Sequence, residues 1–475
     1  MGLQRKAHSR GVNGVVKCED AGIWRRGLEE KSPVARRARR PILEGDFKGI
    51  DMAIEEEIWR SSDGLPGVVV IGAGFAGLNL VKTLGARNCR ILLIDRHNYH
   101  QFQPLLYQVA ISGLEPDSIV SPVRKLFIQR PELRFMHAEV LGVDADAKYV
   151  QLDAGRVFYD VLVFAHGSRT NFFGNANIEA FSFGLKSIND ALNLRSWIIQ
   201  NLEQASIRPN KTELMQFVIA GAGPAGVEMA GALAEFKTRL LKKDYPRIKP
   251  DNVKIFLIEG GAEPLPSMSV KARKRARQVI EEMGIVFVPN ALVKDFDKTR
   301  VLYSQNGELH SIVSNTLIWT AGVMAERIEG LPSSVFGPGN RLKVNDFLEV
   351  EGLKQVYAVG DVAYLCSAEF ERGLPMVAQT AIQQGKYLAE ALFKKSVKPF
   401  EYKNRGSMAI IGMNKAVADI KNVFLSGNLG WLIWSYIHII SISSFKNRLS
   451  VAFNWWLKYW KYEHTNQLII RKVEK

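Results

Sequence analysis

Short unbroken apolar runs, each closed by glycine or by an acid, divide most of this chain. Val68-Val-Val-Ile71 leads without a polar residue into Gly72-Ala-Gly74-Phe-Ala-Gly77, and Leu78 to Leu84 then takes up a helical apolar spacing. The pattern predicts a buried parallel strand, a tight glycine turn and a helix. One glycine of such a turn makes the bend, one lets a pyrophosphate approach the backbone, and one lets helix and strand pack closely. The N–H groups at the helix start then face the negative charge. A second run, Ile91-Leu-Leu-Ile94, ends in Asp95, where a carboxylate accepts the hydroxyls of an adenosine ribose.

The same pattern returns further on. Phe217-Val-Ile-Ala220 enters Gly221-Ala-Gly223-Pro-Ala-Gly226-Val-Glu228, and the partner run Ile255 to Ile258 ends in Glu259. The interval is longer because 242–251 inserts a polar, proline-containing excursion. Two such units imply two nucleotides, or one nucleotide and a cofactor that contains one. Three more runs end distinctively: Tyr159 to Gly167, which closes the first sheet near residue 170; Thr316 to Gly322, whose small residues let a flat ring approach; and Gln355 to Asp361. A helix over Met376–Phe393 is expected after Pro375, with Gln379 and Gln383 on one face. The fold class is therefore α/β, two Rossmann-like dinucleotide-binding domains plus a C-terminal amphipathic-helix segment.

That last segment changes character. Residues 422–445 carry no formal charge, but Gly427, Asn428 and Gly430 are expected to break the run and leave an apolar core too short to span a bilayer. From Lys446 to Trp460, Leu449, Phe453, Trp456 and Trp460 share one side, with Lys446, Arg448, Lys458 and Lys461 among them. Five of the nine tryptophans lie at 431, 434, 455, 456 and 460, as expected for rings at a headgroup boundary. Two helices lying in the interface fit better than a span; an apolar dimer interface is the plainer alternative.

Charge and cysteine content narrow the rest. Of the net +15, residues 401–475 hold 11 Lys/Arg against 4 Asp/Glu, so an anionic partner is expected there. Residues 1–64 lack periodicity and read as a disordered basic leader, with Met52 as an alternative start. Its cluster Arg36-Arg-Ala-Arg-Arg40 lacks interleaved aromatics, which argues against nucleic acid. Cys18, Cys89 and Cys366 form no CxxC pair, which excludes a disulfide framework, a zinc site and a dithiol relay. His97 and His100, in the aromatic loop after Asp95, have no metal spacing and are read as loop packing or cofactor-edge contacts.

Five narrower motifs accompany the two glycine turns. They are Phe102-Gln-Pro-Leu-Leu-Tyr-Gln-Val-Ala110, Asn171-Phe-Phe-Gly174, Trp319-Thr-Ala-Gly322, the strand end Ala358-Val-Gly-Asp361, and Ala378-Gln-Thr-Ala-Ile-Gln-Gln-Gly385. With these, the chain resembles the type II NADH:quinone oxidoreductases of the two-dinucleotide flavoprotein superfamily over about residues 65–465. The resemblance implies FAD on Gly72, Gly74 and Gly77, with Asp95 on its ribose and Asp361 near its ribityl and pyrophosphate. It implies NADH on Gly221, Gly223 and Gly226, with Glu259 on the ribose, where a carboxylate repels a 2′-phosphate and disfavours NADPH. Glu228 would face the space between nicotinamide and flavin, Gly322 would help to shape it, and Gln379 and Gln383 would border the quinone ring. His166 stands where the family usually has threonine.

The implied activity is non-proton-pumping NADH:quinone oxidoreduction on a membrane surface, a monotopic attachment at the cytoplasmic face of the cell inner membrane. No metal and no nucleic acid are expected, and a homodimer is compatible with the sequence. The implied division is a leader at 1–64, an FAD-binding domain at 65–185 and 335–400, an NADH-binding domain at 186–334 and a membrane-anchoring segment at 401–475. Two rivals remain: a sulfide:quinone oxidoreductase, which needs cysteines beside the flavin, and a membrane-surface NADH sensor without turnover.

Overall fold

The two glycine turns sit in two parallel sheets that share one construction. The computed structural model describes residues 57–59, 64–85, 89–128, 130, 132–239, 241–394, 396–421, 423–460, 467–469 and 471–475. The expected leader at 1–64, with its arginine cluster and Met52, lies almost wholly outside them.

The first sheet contains β1 (Gly67–Ile71), β2 (Arg90–Asp95), β3 (Leu133–His137) and β4 (Val161–Phe164). The second contains β5 (Phe183–Gly184), β6 (Gln216–Ala220), β7 (Lys254–Ile258), β8 (Val286–Val288) and β9 (Thr316–Trp319). A strand from far downstream, β10 (Val356–Ala358), completes the first sheet, whose order is β10-β4-β1-β2-β3. The run ending near residue 170 therefore does not form the sheet's edge, because β10 pairs outside it. The second sheet has the order β5-β9-β6-β7-β8. Residues Val68, Val69 and Val70 have no exposed surface, as expected for strands covered on both faces.

Helices join these strands. α1 (Phe75–Leu84) follows the first glycine turn, and α2 (Leu106–Ala110) lies in the aromatic loop after β2. α3 (Ile188–Ile207) starts with a capping box formed by Ser187 and Asp190, a motif that contributes on the order of 1 kcal/mol. α4 (Pro224–Arg239) follows the second turn, and α5 (Val270–Glu282) packs later in the same unit. α6 (Ala378–Ala391) is the helix expected after Pro375; it begins two residues later than expected, after Val377, because the Pro375 carbonyl closes a turn by accepting from the Val377 amide at 3.0 Å.

The C-terminal segment builds a three-stranded antiparallel sheet, β11 (Ser407–Gly412), β12 (Lys415–Ile420) and β13 (Val423–Ser426), then α7 (Gly427–Ser441) and α8 (Phe445–Trp460). The run does break at Gly427, whose φ of +67° marks the junction of β13 and α7, while Asn428 and Gly430 lie in the first turn of the helix. Packing overrides their low propensity, since a Cβ on Gly430 would lie 3.2 Å from the Ala416 carbonyl oxygen of β12. The uncharged run is divided between a strand and a helix of 15 residues. Among the described residues, no helix is long and apolar enough to cross a membrane.

Candidate functional site

Each glycine turn presents a cradle of the same shape. Gly72 and Gly221 have φ of +107° and +96°, a left-handed backbone that side chains rarely adopt. A Cβ on Gly77 would lie 1.9 Å from the Gly72 carbonyl oxygen, and one on Gly226 would lie 1.9 Å from that of Gly221. The middle glycines differ from these. Gly74 has its first neighbour at 3.9 Å and Gly223 has none within 4 Å, which leaves room over each helix N-terminus for a pyrophosphate. The residues present thus fit FAD and NADH.

The acids close both cradles in one way. The Ala73 amide donates to Asp95 Oδ2 at 2.6 Å and the His97 amide to Oδ1 at 2.7 Å. The Ala222 amide donates to Glu259 Oε2 at 2.6 Å and the Gly261 amide to Oε1 at 2.9 Å. Beneath the first turn, buried His100 contacts the Ala73 carbonyl through Nδ1 at 3.0 Å, and burial lowers its pKa to about 4, so it props the turn as a neutral ring. His97 lies 3.6 Å from Asp95 Oδ1 and is partly exposed. Among the described residues, no cluster has the makings of a metal site.

Asp361 follows β10 and receives the Ser168 hydroxyl at 2.5 Å and the Lys186 ammonium at 3.4 Å. His166 is half-buried, with Nε2 3.1 Å from the Glu326 carbonyl. Gly322 faces the Phe173 ring, whose Cζ would be 3.1 Å from a Cβ there. Gln379 and Gln383 do share a face of α6, but both amides clamp a neighbouring strap. Gln379 accepts from the Arg405 amide at 3.0 Å and donates to the Gly406 carbonyl at 3.0 Å; Gln383 does the same with the backbone of Lys403 at 3.0 and 2.9 Å. The inward glutamine is Gln384, which accepts from the Gly360 amide at 2.7 Å. The sequence carries a signal for it: Gln384 shares the 381–384–388 spacing of the buried face of α6.

Glu228 lies one turn into α4, in a pocket that no linear motif announces. Tyr107 and Gln108 of α2, Glu228 and Glu235 of α4, Ile410 to Met413 at the end of β11, and Trp431, Trp434, Trp455 and Lys458 of the C-terminal helices line it. Close approach makes this possible, since a Cβ on Gly231 would lie 1.7 Å from the Ile411 carbonyl oxygen. Burial raises the Glu228 pKa to about 8, against the pull of the Ile410 backbone and Trp434. Trp455 Nε1 donates to Gln108 Oε1 at 2.9 Å, and Gln108 Nε2 donates to the Tyr107 hydroxyl at 2.9 Å. Trp434 stacks on His438 with ring centroids 4.0 Å apart. Lys458 turns inward here.

The pocket is therefore lined by aromatic and aliphatic side chains, with the polar groups of Tyr107, Gln108, Glu228, Glu235 and Lys458 among them. It suits a flat ring bearing hydrogen-bond acceptors. No cysteine lines it. Cys89 precedes β2 at the end opposite Asp95, and Cys366 is exposed.

Residues 66–385 match the family described as pyridine nucleotide-disulphide oxidoreductase, and residues 404–460 match the NDH2 C-terminal domain. The chain is 34% identical over 407 residues to the type II NADH:quinone oxidoreductase Ndh of Mycobacterium tuberculosis, covering 82% of this chain and 87% of that protein. It is 28% identical to external NADH-ubiquinone oxidoreductase 2 of Saccharomyces cerevisiae, covering 82% and 80%. The fold is similar to that of NDH2 from Plasmodium falciparum in complex with NADH, with a TM-score of 0.78 at 21% identity, covering 86% of this chain and 100% of that one. It is less similar to the sulfide:quinone oxidoreductase of Aquifex aeolicus, with a TM-score of 0.64 at 18% identity, covering 86% and 93%.

Proposed function

The chain belongs to the type II NADH:quinone oxidoreductases, and from that premise we propose how its residues divide the work. It is an FAD-dependent enzyme that oxidises NADH and reduces a quinone. FAD, when bound, takes up the hydride of NADH and passes two electrons to the acceptor.

In this reading Gly72, Gly74 and Gly77 hold the FAD pyrophosphate at the start of α1, Asp95 takes its ribose, and Asp361 faces its ribityl and pyrophosphate. Gly221, Gly223 and Gly226 hold NADH, and Glu259 takes its ribose. Gly322 leaves room for the nicotinamide. Glu228, expected in the space between nicotinamide and flavin, is placed in this reading beside the quinone ring, which enters the pocket over it. Gln379 and Gln383 act at its border by fixing the 403–406 strap, from which β11 runs to the pocket. The observation that carries this reading is the pocket on α4, one helical turn from the second glycine turn and roofed by the C-terminal helices.

The same helices supply a membrane-facing surface. Leu429, Leu432 and Tyr436 of α7 and Leu449, Phe453 and Trp456 of α8 are all more than half exposed. Such a row of large apolar side chains next to basic residues favours a bilayer surface. We therefore assign a monotopic, peripheral attachment without proton pumping, at the cytoplasmic face of the inner membrane. Co-sedimentation with anionic vesicles tests it: the protein should pellet with them and Trp456→Ser should weaken binding several-fold. A homodimer stable in detergent that buries these residues would overturn it.

A further inference from the structure

Lys458 occupies an unusual position for a charge. On α8 the outward face carries Leu449, Phe453 and Trp456, while Val451, Trp455 and Lys458 fall at the inward spacing i, i+4 and i+7. Lys458 is half-buried, and its ammonium donates to the Gly113 carbonyl. A buried lysine disfavours folding, so its presence in this pocket points to use.

The surroundings narrow that use. Glu228 and Glu235 face the pocket from α4, Tyr107 from α2, and His438 stands behind Trp434 on α7. Arg239 lies near Met413 at the outer edge. Burial holds Tyr107 protonated and His438 neutral, the latter with a pKa of about 4. Glu228 keeps its proton to about pH 8. Burial lowers Lys458 to about 7, with Glu235 opposing, so its proton is the one most readily exchanged at neutral pH. Gly113 also lies two residues from exposed Glu115, which brings this side of the pocket close to solvent.

We propose that Lys458 delivers to the quinone the proton that the reaction takes from solvent. The proposal rests on the reading that the quinone ring occupies this pocket. Reduction of a quinone to a quinol consumes two electrons and two protons. The electron pair and one proton originate in the hydride of NADH. The other proton leaves the Lys458 ammonium, breaking one N–H bond as one quinol O–H bond forms, and a proton taken up from solvent restores the ammonium. The sum is NADH + H⁺ + quinone → NAD⁺ + quinol.

Anaerobic stopped-flow of the holoenzyme tests this in two half-reactions. Lys458→Met should leave bleaching by NADH unchanged and slow quinone-driven recovery about tenfold or more at pH 7. In the wild type, recovery should slow as pH rises through about 7, and Lys458→Met should abolish that step. Should the variant fail to fold, the wild-type profile decides: no step near 7 overturns the proposal. Wild-type recovery rate and pH step in Lys458→Met would also overturn it. Quinone binding, followed by quenching of tryptophan fluorescence, separates the two layers. If Ala232→Phe abolishes binding while Lys458→Met changes nothing, the pocket stands and the lysine role falls; if Ala232→Phe leaves binding intact, the pocket reading itself falls.

Discussion

The two glycine turns match closely, yet the helices they launch do different work. Both have a carbonyl 1.9 Å from where a third-glycine Cβ would lie, and both have an acid accepting a turn amide at 2.6 Å. Each helix is then crossed tightly by a later element. Gly385 of α6 brings that helix onto α1, where a Cβ would lie 2.4 Å from the Ala76 carbonyl oxygen; Gly231 of α4 brings α4 under β11. The first crossing is filled by apolar side chains and closes a core. The second leaves Glu228 and Glu235 facing a pocket. The duplication thus repeats the nucleotide cradle, while the acceptor chemistry grows only where the C-terminal segment docks.

The largest effects should come from breaking the matched feature. Gly77→Ala and Gly226→Ala each force strand and helix apart, at roughly 3 kcal/mol or more. Flavin absorbance and NADH titration separate them: Gly77→Ala should purify without flavin, and Gly226→Ala should keep flavin but bind NADH at least tenfold more weakly. Equal flavin loss in both would show that the cradles are not separate.

Next comes the feature that differs. Gly231→Ala should lift β11 from α4 and slow quinone-driven recovery about tenfold, as misplacement of a binding wall does, while bleaching by NADH holds. Slowing of both half-reactions alike would count against a pocket specific to the acceptor.

Glu228 makes the comparison pH-dependent. Its proton is held to about pH 8 in the folded chain but lost near 4.5 in the unfolded one. Stability therefore falls as pH rises from 4.5 to 8, and above 8 the full cost is present, on the order of a few kcal/mol. Glu228→Gln removes that titration, so its melting temperature should gain on the wild type as pH rises across that window. A constant gap would contradict the burial argument. The smallest effect is expected at Glu259→Ala, where the NADH over NADPH preference should narrow by about tenfold, since a 2′-phosphate no longer meets a carboxylate. An unchanged ratio of kcat/KM would remove the ribose role.

What can be read in the sequence follows from how local each signal is. The cradles depend on spacings within a few residues, so apolar runs, glycines and acids are legible at once, and with them the α/β class. The pocket needs α2, α4, β11, α7 and α8 together, and no periodicity announces Tyr107, Glu235 or Lys458. Lys458 escapes sequence reasoning because a lysine on a tryptophan-rich helix ordinarily faces headgroups. The break in the uncharged run is legible at Gly427, whereas Gly430 falls inside α7 because packing on β12 maintains a helix that propensity alone disfavours.

The most direct test of the account is quinone-driven recovery in Ala232→Phe, a change at a pocket-lining residue away from both cradles. After NADH has bleached the flavin at the wild-type rate, added quinone should fail to restore its absorbance. Full recovery at the wild-type rate would show that the acceptor does not use this pocket.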